Sequence, residues 1–251
     1  MSGREVIRIA PRSVALSLPR GAGFILTGLV VLLLAGAPRV NAQAGNPAGI
    51  GIDHLILGVD DLDRGMAEFA RRTGVTPVKG GVHPGRGTQN ALASLGDGRY
   101  VEILAPSHEA GTTSDVRTNF RTLTPVGWAL HTTELQRVVT EMRAAGFVMS
   151  EIRPGARARP DGVQLSWQTA DVSGPGLHAA PFFIMWGTGT PHPSTQSPTV
   201  CAFRSAAMTE PDAAPLSRFL AAAHVQVAVT TATTSHMTIV LACPAGEVTF
   251  E

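Results

Sequence analysis

The sequence predicts an α+β fold that contains two consecutive βαβββ modules and an additional C-terminal α/β element. Three observations lead to this prediction. Residues 52–107 read as a strand, a helix and further strand-like runs, and residues 121–198 repeat that order. Residues 199–251 then add strand-like runs around one more helix. The order of elements, more than sequence identity between the halves, indicates an internal repeat.

The first module begins with the apolar strand Ile52–Val59, which carries an imidazole at His54. Asp60 and Asp61 are candidate N-caps for a helix over Leu62–Thr73, and Gly74 is its expected C-terminal stop. The last run of the module, Tyr100–Leu104, places one carboxylate, Glu102, among Val, Ile and Leu. The module therefore has one polar side chain of interest on its first strand and one on its last.

The second module contains a helix predicted over Glu134–Ala145, with Thr133 as its cap. Aligning this cap with the cap of the first helix gives an offset of 73 residues. Apolar side chains recur at helical spacing and predict one buried stripe: Leu135, Val138, Val139 and Met142. Three strands are expected around this helix: Val126–His131, Val163–Thr169 and Phe182–Trp186.

The C-terminal part reads as a partial third α/β unit. Its helix is predicted over Asp212–Ala223, between strand-like runs at Val200–Ala206, Val225–Thr230, Met237–Ala242 and Glu247–Phe250. It is expected to pack on the two modules as an additional sheet or to complete a shared one. Cys201 and Cys243 both lie in this part, and either a disulfide or two buried thiols fits their apolar surroundings.

The N-terminal 42 residues read as a targeting segment. A basic stretch up to Arg20 precedes the apolar run Gly21–Ala37, and Val40-Asn41-Ala42 offers a cleavage site of small residues. A cleaved signal peptide is expected, with an uncleaved membrane anchor as the alternative. Residues 43–51 form a Gly/Ala/Pro linker. Both alternatives place the folded part outside the cytoplasm, so a secreted or periplasmic protein is expected.

Charge and missing motifs exclude several classes of function. The whole chain carries +1 and residues 1–42 carry +4, so residues 43–251 carry −3, which argues against a nucleic-acid partner. The sequence contains no nucleophile elbow, H-E-x-x-H helix, P-loop or dinucleotide fingerprint.

His54 and Glu102 are the sharpest candidates for chemistry. A carboxylate within an apolar strand is costly to bury unless a metal, an arginine or hydrogen bonds meet it. One imidazole nitrogen and one carboxylate oxygen form half of a mononuclear site for Zn, Mn, Fe or Ni. The structural alternative is a satisfied strand histidine beside an arginine-paired glutamate.

A second group of candidates lies in and after the turn H-P-G-R-G-T, His83–Thr88. Its glycines allow a tight turn in which Arg86 could bind an anionic group, and Thr88 and Asn90 share one face of the following strand. The plain alternative is a solvent-exposed turn. Likewise, His192 in P-H-P could lie at a site rim or in an exposed loop.

The strand I-D-H-L-I-L-G, the H-P-G-R-G-T turn and the Y-x-E strand resemble glyoxalase-like proteins of the vicinal-oxygen-chelate superfamily. The resemblance implies that the modules form a cupped mixed or antiparallel sheet, often with a divalent metal in the cup. It assigns His54 and Glu102 as metal ligands and Glu102 as the catalytic group. It also places a group of side chains toward the substrate: His83, Arg86, Thr88, Asn90 and His192.

The function implied is a metal-dependent lyase, isomerase or dioxygenase that acts on a small oxygen-rich substrate. With the offset of 73 residues, however, His54 aligns with Gly127. On the last strand of the second module, F-F-I-M-W, the counterpart of Glu102 falls near Ile184 or Met185. The alternative is therefore a non-catalytic small-molecule-binding protein with a degenerate metal site. The expected partner is a small molecule. Contact with a membrane is expected only through the N-terminal segment, and a homodimer is an open alternative to a monomer.

Overall fold

The computed structural model describes residues 49–107, 118–197 and 201–251. The first module contains β1 (Gly51–Gly58), α1 (Leu62–Thr73), β2 (Val78–His83), β3 (Thr88–Gly96) and β4 (Arg99–Pro106). The second contains β5 (Thr124–His131), α2 (Leu135–Ala144), β6 (Val148–Met149), β7 (Arg153–Ala158), β8 (Gln164–Ser173) and β9 (Phe182–Trp186). The N-terminal segment 1–42 and the linker residues up to 48 lie outside the described residues.

The two modules share one curled sheet of nine strands. Its order is β2-β3-β4-β1-β5-β9-β8-β6, with β7 paired to β8. In each module the first strand pairs in parallel with the last, β1 with β4 and β5 with β9, and the modules join through antiparallel β1 and β5. The predicted α+β fold with a cupped sheet is confirmed. β1 and β5 begin 73 residues apart, as do α1 and α2, so the repeat has the expected offset.

The helix ends follow the predicted chemistry in the first module and depart from it in the second. In α1 the Asp61 side chain accepts a hydrogen bond from the Arg64 backbone N–H, and Gly74 ends the helix with φ 74°. In α2 the N-cap is Glu134, not Thr133, and it makes no side-chain cap hydrogen bond. The Thr132 hydroxyl instead accepts from the Glu134 N–H, so the helix starts one residue later than predicted.

The C-terminal residues form a second sheet rather than completing the first. They comprise β10 (Ala202–Glu210), α3 (Ala213–Ala222), β11 (Ala228–Thr231), β12 (His236–Cys243) and β13 (Gly246–Phe250), in the sheet order β11-β10-β12-β13. Phe219 of α3 packs on Phe147 and Phe183, with ring centroids 5.3 and 5.8 Å apart. Cys201 and Cys243 form a disulfide, which decides between the two alternatives left open by the sequence.

Strand alternation separates the core from the concave face. Leu55 and Leu57 of β1 are fully buried in the core under the helices and the second sheet, while Ile56 faces the concave side. The predicted stripe of α2 is buried in the same core. Among the described residues, no helix combines the length and the apolar character needed to cross a membrane.

Candidate active site

The concave side of the large sheet encloses a cavity of about 130 Å³. Its polar lining contains six of the seven predicted site residues, namely His54, His83, Arg86, Thr88, Asn90 and Glu102. The apolar and aromatic part of the lining comes from both modules and includes Ile56, Tyr100, Leu104, Trp167, Phe182, Ile184 and Trp186. Strands β1, β3, β4, β8 and β9 all contribute alternate residues, as a pleated strand requires.

The seventh predicted residue, His192, lies behind the lining rather than in it. Its Nε2 atom is 3.1 Å from Asp53 Oδ2, and its ring packs edge-on against Trp186 at 5.3 Å. The Ser194 backbone N–H lies 3.3 Å from His192 Nδ1, so Nδ1 accepts and Nε2–H donates to Asp53. His192 therefore supports the site through Asp53 and does not contact the cavity.

Asp53 is a site residue that sequence reasoning missed. Strand periodicity places residue 53 on the face opposite His54, but Ile52 pairs with Leu130 while His54 pairs with Ala129, so one extra residue bulges out of β1. The bulge turns the fully buried Asp53 carboxylate toward the ring of its neighbour. No local signal in the sequence marks a bulge at this position.

The Asp53 carboxylate accepts three hydrogen bonds. They come from His54 Nδ1 at 2.7 Å, Trp186 Nε1 at 3.0 Å and His192 Nε2 at 3.1 Å. Burial alone would raise the pKa of Asp53. The hydrogen bonds from His192 and His54, together with the charges of these two rings, outweigh burial and hold the pKa of Asp53 well below its usual range. Asp53 is thus an ionised acceptor, which fixes the proton of His54 on Nδ1.

The His54 ring is clamped so that its second nitrogen faces the cavity. Tyr100 stacks on the ring at a centroid distance of 4.6 Å, and Phe182 packs edge-on at 5.6 Å. Because Nδ1–H donates to Asp53, Nε2 is the ring nitrogen that faces the cavity. This atom lies 3.7 Å from Glu102 Oε2. The arrangement is that of a histidine base oriented by a buried carboxylate.

Glu102 is the second acidic group of the cavity. The Asn90 side-chain amide donates to Glu102 Oε1 at 2.6 Å, and His83 Nε2 lies 3.7 Å from the same oxygen. Burial alone would raise the pKa of Glu102, but His83, His54, the Asn90 hydrogen bond and Arg157 together lower it. Glu102 is therefore ionised at neutral pH.

Arg157 is another residue that the sequence analysis did not select. It lies on β7, a strand that was not predicted, and only 3% of the residue is exposed. Its guanidinium donates to the Gly80 carbonyl on β2, which joins the two modules across the open edge of the sheet. Alternation in R-P-G-A-R-A places Arg153 and Arg157 on one face, and that pattern was the available signal.

Several aromatic residues of β8 and β9 belong to the site. Phe183 is fully buried in the core, but Phe182 and Trp186 line the cavity, because the strand alternates between core and cup. Trp167 on β8 packs edge-on against Trp186 at 5.7 Å. The strand Phe182–Trp186 has the predicted bounds.

A metal ion at the predicted ligands His54 and Glu102 would need a further donor from the site. The structure brings His54 and Glu102 together, but among the described residues no three His, Cys, Asp or Glu side chains are arranged to hold a metal ion. His83 is the nearest third candidate. Its Nε2 lies 3.3 Å from the Asn90 amide nitrogen, which occupies the lone pair a metal would need.

The second module supplies no replacement donor. Gly127 pairs with Ile56 of the concave face, and Ile184 lines the cavity, while Met185 faces the other side of the sheet toward α2. Catalytic metal sites keep about three protein ligands. The residues present therefore do not form a binding site for a metal ion.

Lowering the pH is expected to destabilise the protein through His83. Burial lowers the pKa of His83 in the folded protein, whereas the ring in the unfolded chain titrates at about 6.5. Below that pH the unfolded chain binds more protons than the folded one, so the free energy of unfolding falls as the pH decreases. Urea denaturation at pH 7.5 and 5.5 measures this. The His83→Gln variant should show a smaller loss than the parent, and an identical loss would contradict the assignment.

The fold and the cavity define a class of protein: a two-module βαβββ cup with a polar site on its concave face. The sequence model of the glyoxalase-like domain matches residues 52–224, and the chain belongs to that family, within the vicinal-oxygen-chelate superfamily. A search of curated proteins found no match.

One solved structure shows the same fold, and others align over about half of this chain. A hypothetical protein from Staphylococcus aureus superimposes with a TM-score of 0.61 at 14% identity, covering 80% of this chain and 99% of that chain. Methylmalonyl-CoA epimerase from Mycobacterium tuberculosis aligns with a TM-score of 0.38 at 18% identity, over 58% of this chain and 91% of that chain. The Streptomyces coelicolor epimerase in complex with 2-nitronate-propionyl-CoA gives 0.39 at 16%, over 53% and 95%.

Proposed function

We propose that this protein is a glyoxalase-like enzyme that transfers a proton at a carbon next to a carbonyl or carboxylate group of a small substrate. The observation that supports this most is the Asp53–His54 pair. A buried, ionised carboxylate orients a clamped imidazole whose second nitrogen faces the cavity. A general base needs this combination of fixed orientation and a stabilised conjugate acid.

The reaction requires only groups that the chain supplies. His54 Nε2 takes the proton from the substrate carbon, and the C–H electron pair moves onto the adjacent carbonyl oxygen to give an enolate. Asp53 stabilises the resulting imidazolium at Nδ1, and Glu102 stabilises it from 3.7 Å away. Return of the proton to the same face of that carbon regenerates the substrate. Delivery to the opposite face gives the epimer, and delivery to a neighbouring atom gives an isomer.

The cavity is suited to a substrate of a few heavy atoms. Ile56, Leu104 and Ile184 cover its apolar part, and the polar groups converge from the strands of both modules.

Hydrogen–deuterium exchange at carbon tests the proposal. The purified protein is incubated in D2O with a panel of short 2-oxo and 2-hydroxy carboxylates, with and without EDTA, and followed by proton NMR. Loss of a carbon-bound proton signal that persists in EDTA is expected. Exchange that depends on added Zn, Mn, Fe or Ni would replace this proposal with the metal-dependent class implied by the resemblance.

A second candidate is a non-catalytic small-molecule-binding protein. It is favoured by Gly127 and Ile184, which place no metal ligand at the second-module positions equivalent to His54 and Glu102. Panel members that bind, seen by calorimetry, but never exchange a proton would favour this candidate over the enzyme.

We also propose that the protein is exported. Its N-terminal segment has the composition of a signal peptide, and the Cys201–Cys243 disulfide suits an oxidising compartment. Fractionation of cells that produce the full chain, with detection of the processed N-terminus, distinguishes a cleaved signal from a retained anchor.

A further inference from the structure

We infer that the guanidinium of Arg157 is the cation of this cup and binds a carboxylate group of the substrate, in the electrostatic role that a metal would otherwise have. The inference rests on the proposed function for the position of the substrate. It adds the chemical class of that substrate: a small anion that carries a carboxylate group.

Arg157 is a buried cation without a paired anion. Among the described residues, no carboxylate lies within the 4.0 Å ion-pair distance of its guanidinium, although it lines the same cavity as Glu102. A charged group held out of water is costly unless an opposite charge or hydrogen bonds meet it. An anionic ligand in the cavity would supply the missing partner.

The guanidinium is anchored but not saturated. Of its five N–H donors, one at Nη1 meets the Gly80 carbonyl, and the other described residues offer it no further hydrogen bond. Gly80 also leaves space for the group, because a Cβ there would lie 3.1 Å from Arg157 Nη2 and 2.2 Å from Asn90 Oδ1. The anchor therefore fixes Arg157 while leaving donors for a ligand.

The charges around Arg157 favour an anion. Arg86 and Arg153 also line the cavity, and Arg153 is neutralised by its ion pair with Asp171. The lowered pKa of His83 makes that ring neutral at neutral pH. Against Arg86 and Arg157 the lining then has Glu102 alone, so the lining carries one positive charge in excess, while the Asp53 carboxylate lies behind His54 and not in the lining.

The geometry of a guanidinium suits two oxygens better than one. Its planar fork binds carboxylates in a bidentate manner, which a lysine ammonium does not reproduce. With a carboxylate on Arg157, the adjacent substrate carbon lies inside the same cavity as His54. The developing enolate charge would then be met by a fixed cation, which lowers the barrier to proton abstraction.

Binding of oxalate, a dianion with oxygens on adjacent carbons, tests the inference by isothermal titration calorimetry in the presence of EDTA. The parent protein is expected to bind oxalate and not its neutral analogue oxamide. The Arg157→Gln variant should weaken oxalate binding at least tenfold, and Arg157→Lys should restore only part of the loss. The matched control is Arg159→Gln, because Arg159 is paired with Asp161 and is not in the lining.

NMR of the arginine side chains provides a measurement that does not depend on a variant folding. In the parent protein labelled with nitrogen-15 at arginine, oxalate should shift the guanidinium signal of Arg157 and oxamide should not. The inference is overturned by oxalate binding that requires an added metal, by its absence in the parent, or by unchanged binding in a folded Arg157→Gln protein. Carbon exchange reports separately on the proposed function: oxalate binding without exchange removes the proton-transfer proposal and leaves Arg157 as an anion site.

Discussion

The His54→Gln variant is expected to exchange the substrate's carbon-bound proton about 10²- to 10⁴-fold more slowly than the parent, the usual contribution of a positioned general base. Glutamine can occupy much of the space of the ring and can still hydrogen-bond to Asp53, but it has no basic nitrogen to present to the cavity. The measurement is the rate of exchange in D2O with the panel member that the parent exchanges fastest.

A second variant separates the contribution of the base, His54, from that of the carboxylate that orients it, Asp53. Asp53→Asn keeps the shape of the side chain and removes the charge that stabilises the imidazolium, so the rate should fall almost as far as in His54→Gln. The two losses should not add in the double variant, because the residues act as one unit. His236→Gln, an exposed His-to-Gln change on the second sheet, is the matched control. A His54→Gln rate within threefold of the parent would remove His54 from the proposed role.

The alternation of side chains along a strand explains which cavity-lining residues could be predicted from the sequence. His54 and Ile56, Thr88 and Asn90, and Tyr100 and Glu102 all line the cavity as their spacing requires. Helix boundaries were accurate for α1, where both caps follow local chemistry. They were less accurate for α2, where Thr132 rather than Thr133 satisfies the first turn. Local rules thus identified the strand and helix positions that carry the site.

The remaining site residues depend on contacts between distant segments. Asp53 enters the site because a bulge against β5 reverses its direction, and the three donors that meet it include His192, which is 139 residues away. Arg157 enters because the sheet curls until β7 reaches Gly80 on β2, a separation of 77 residues. Alternation within a single strand contains neither the bulge nor the curl. It could not select Asp53, and for Arg157 it indicated only that the residue shares a face with Arg153.

The second large effect is expected from the disulfide. Replacing Cys201 and Cys243 with alanine should lower the free energy of unfolding by about 4 kcal/mol, the chain-entropy value for a bridge that closes a loop of this length. The two cysteines are 42 residues apart, at the start of β10 and the end of β12, where Ala202 pairs with Ala242. The bridge therefore joins strands that already pair, so its effect falls mainly on the unfolded chain. Urea denaturation of the oxidised parent and the double variant measures the difference.

The same comparison bears on the compartment in which the protein works. The parent in dithiothreitol should unfold at nearly the urea concentration of the alanine variant, because both lack the constraint on the unfolded chain. The cysteines lie on the second sheet and not in the lining of the cup, so carbon exchange at low urea should be unchanged in the variant. A stability difference below about 1 kcal/mol would show that the bridge adds little, since native bridges typically contribute 2–4 kcal/mol. If the disulfide contributes about 4 kcal/mol, the folded chain gains this part of its free energy of unfolding only in a compartment where thiols are oxidised. That gain would be a thermodynamic reason for the proposed export.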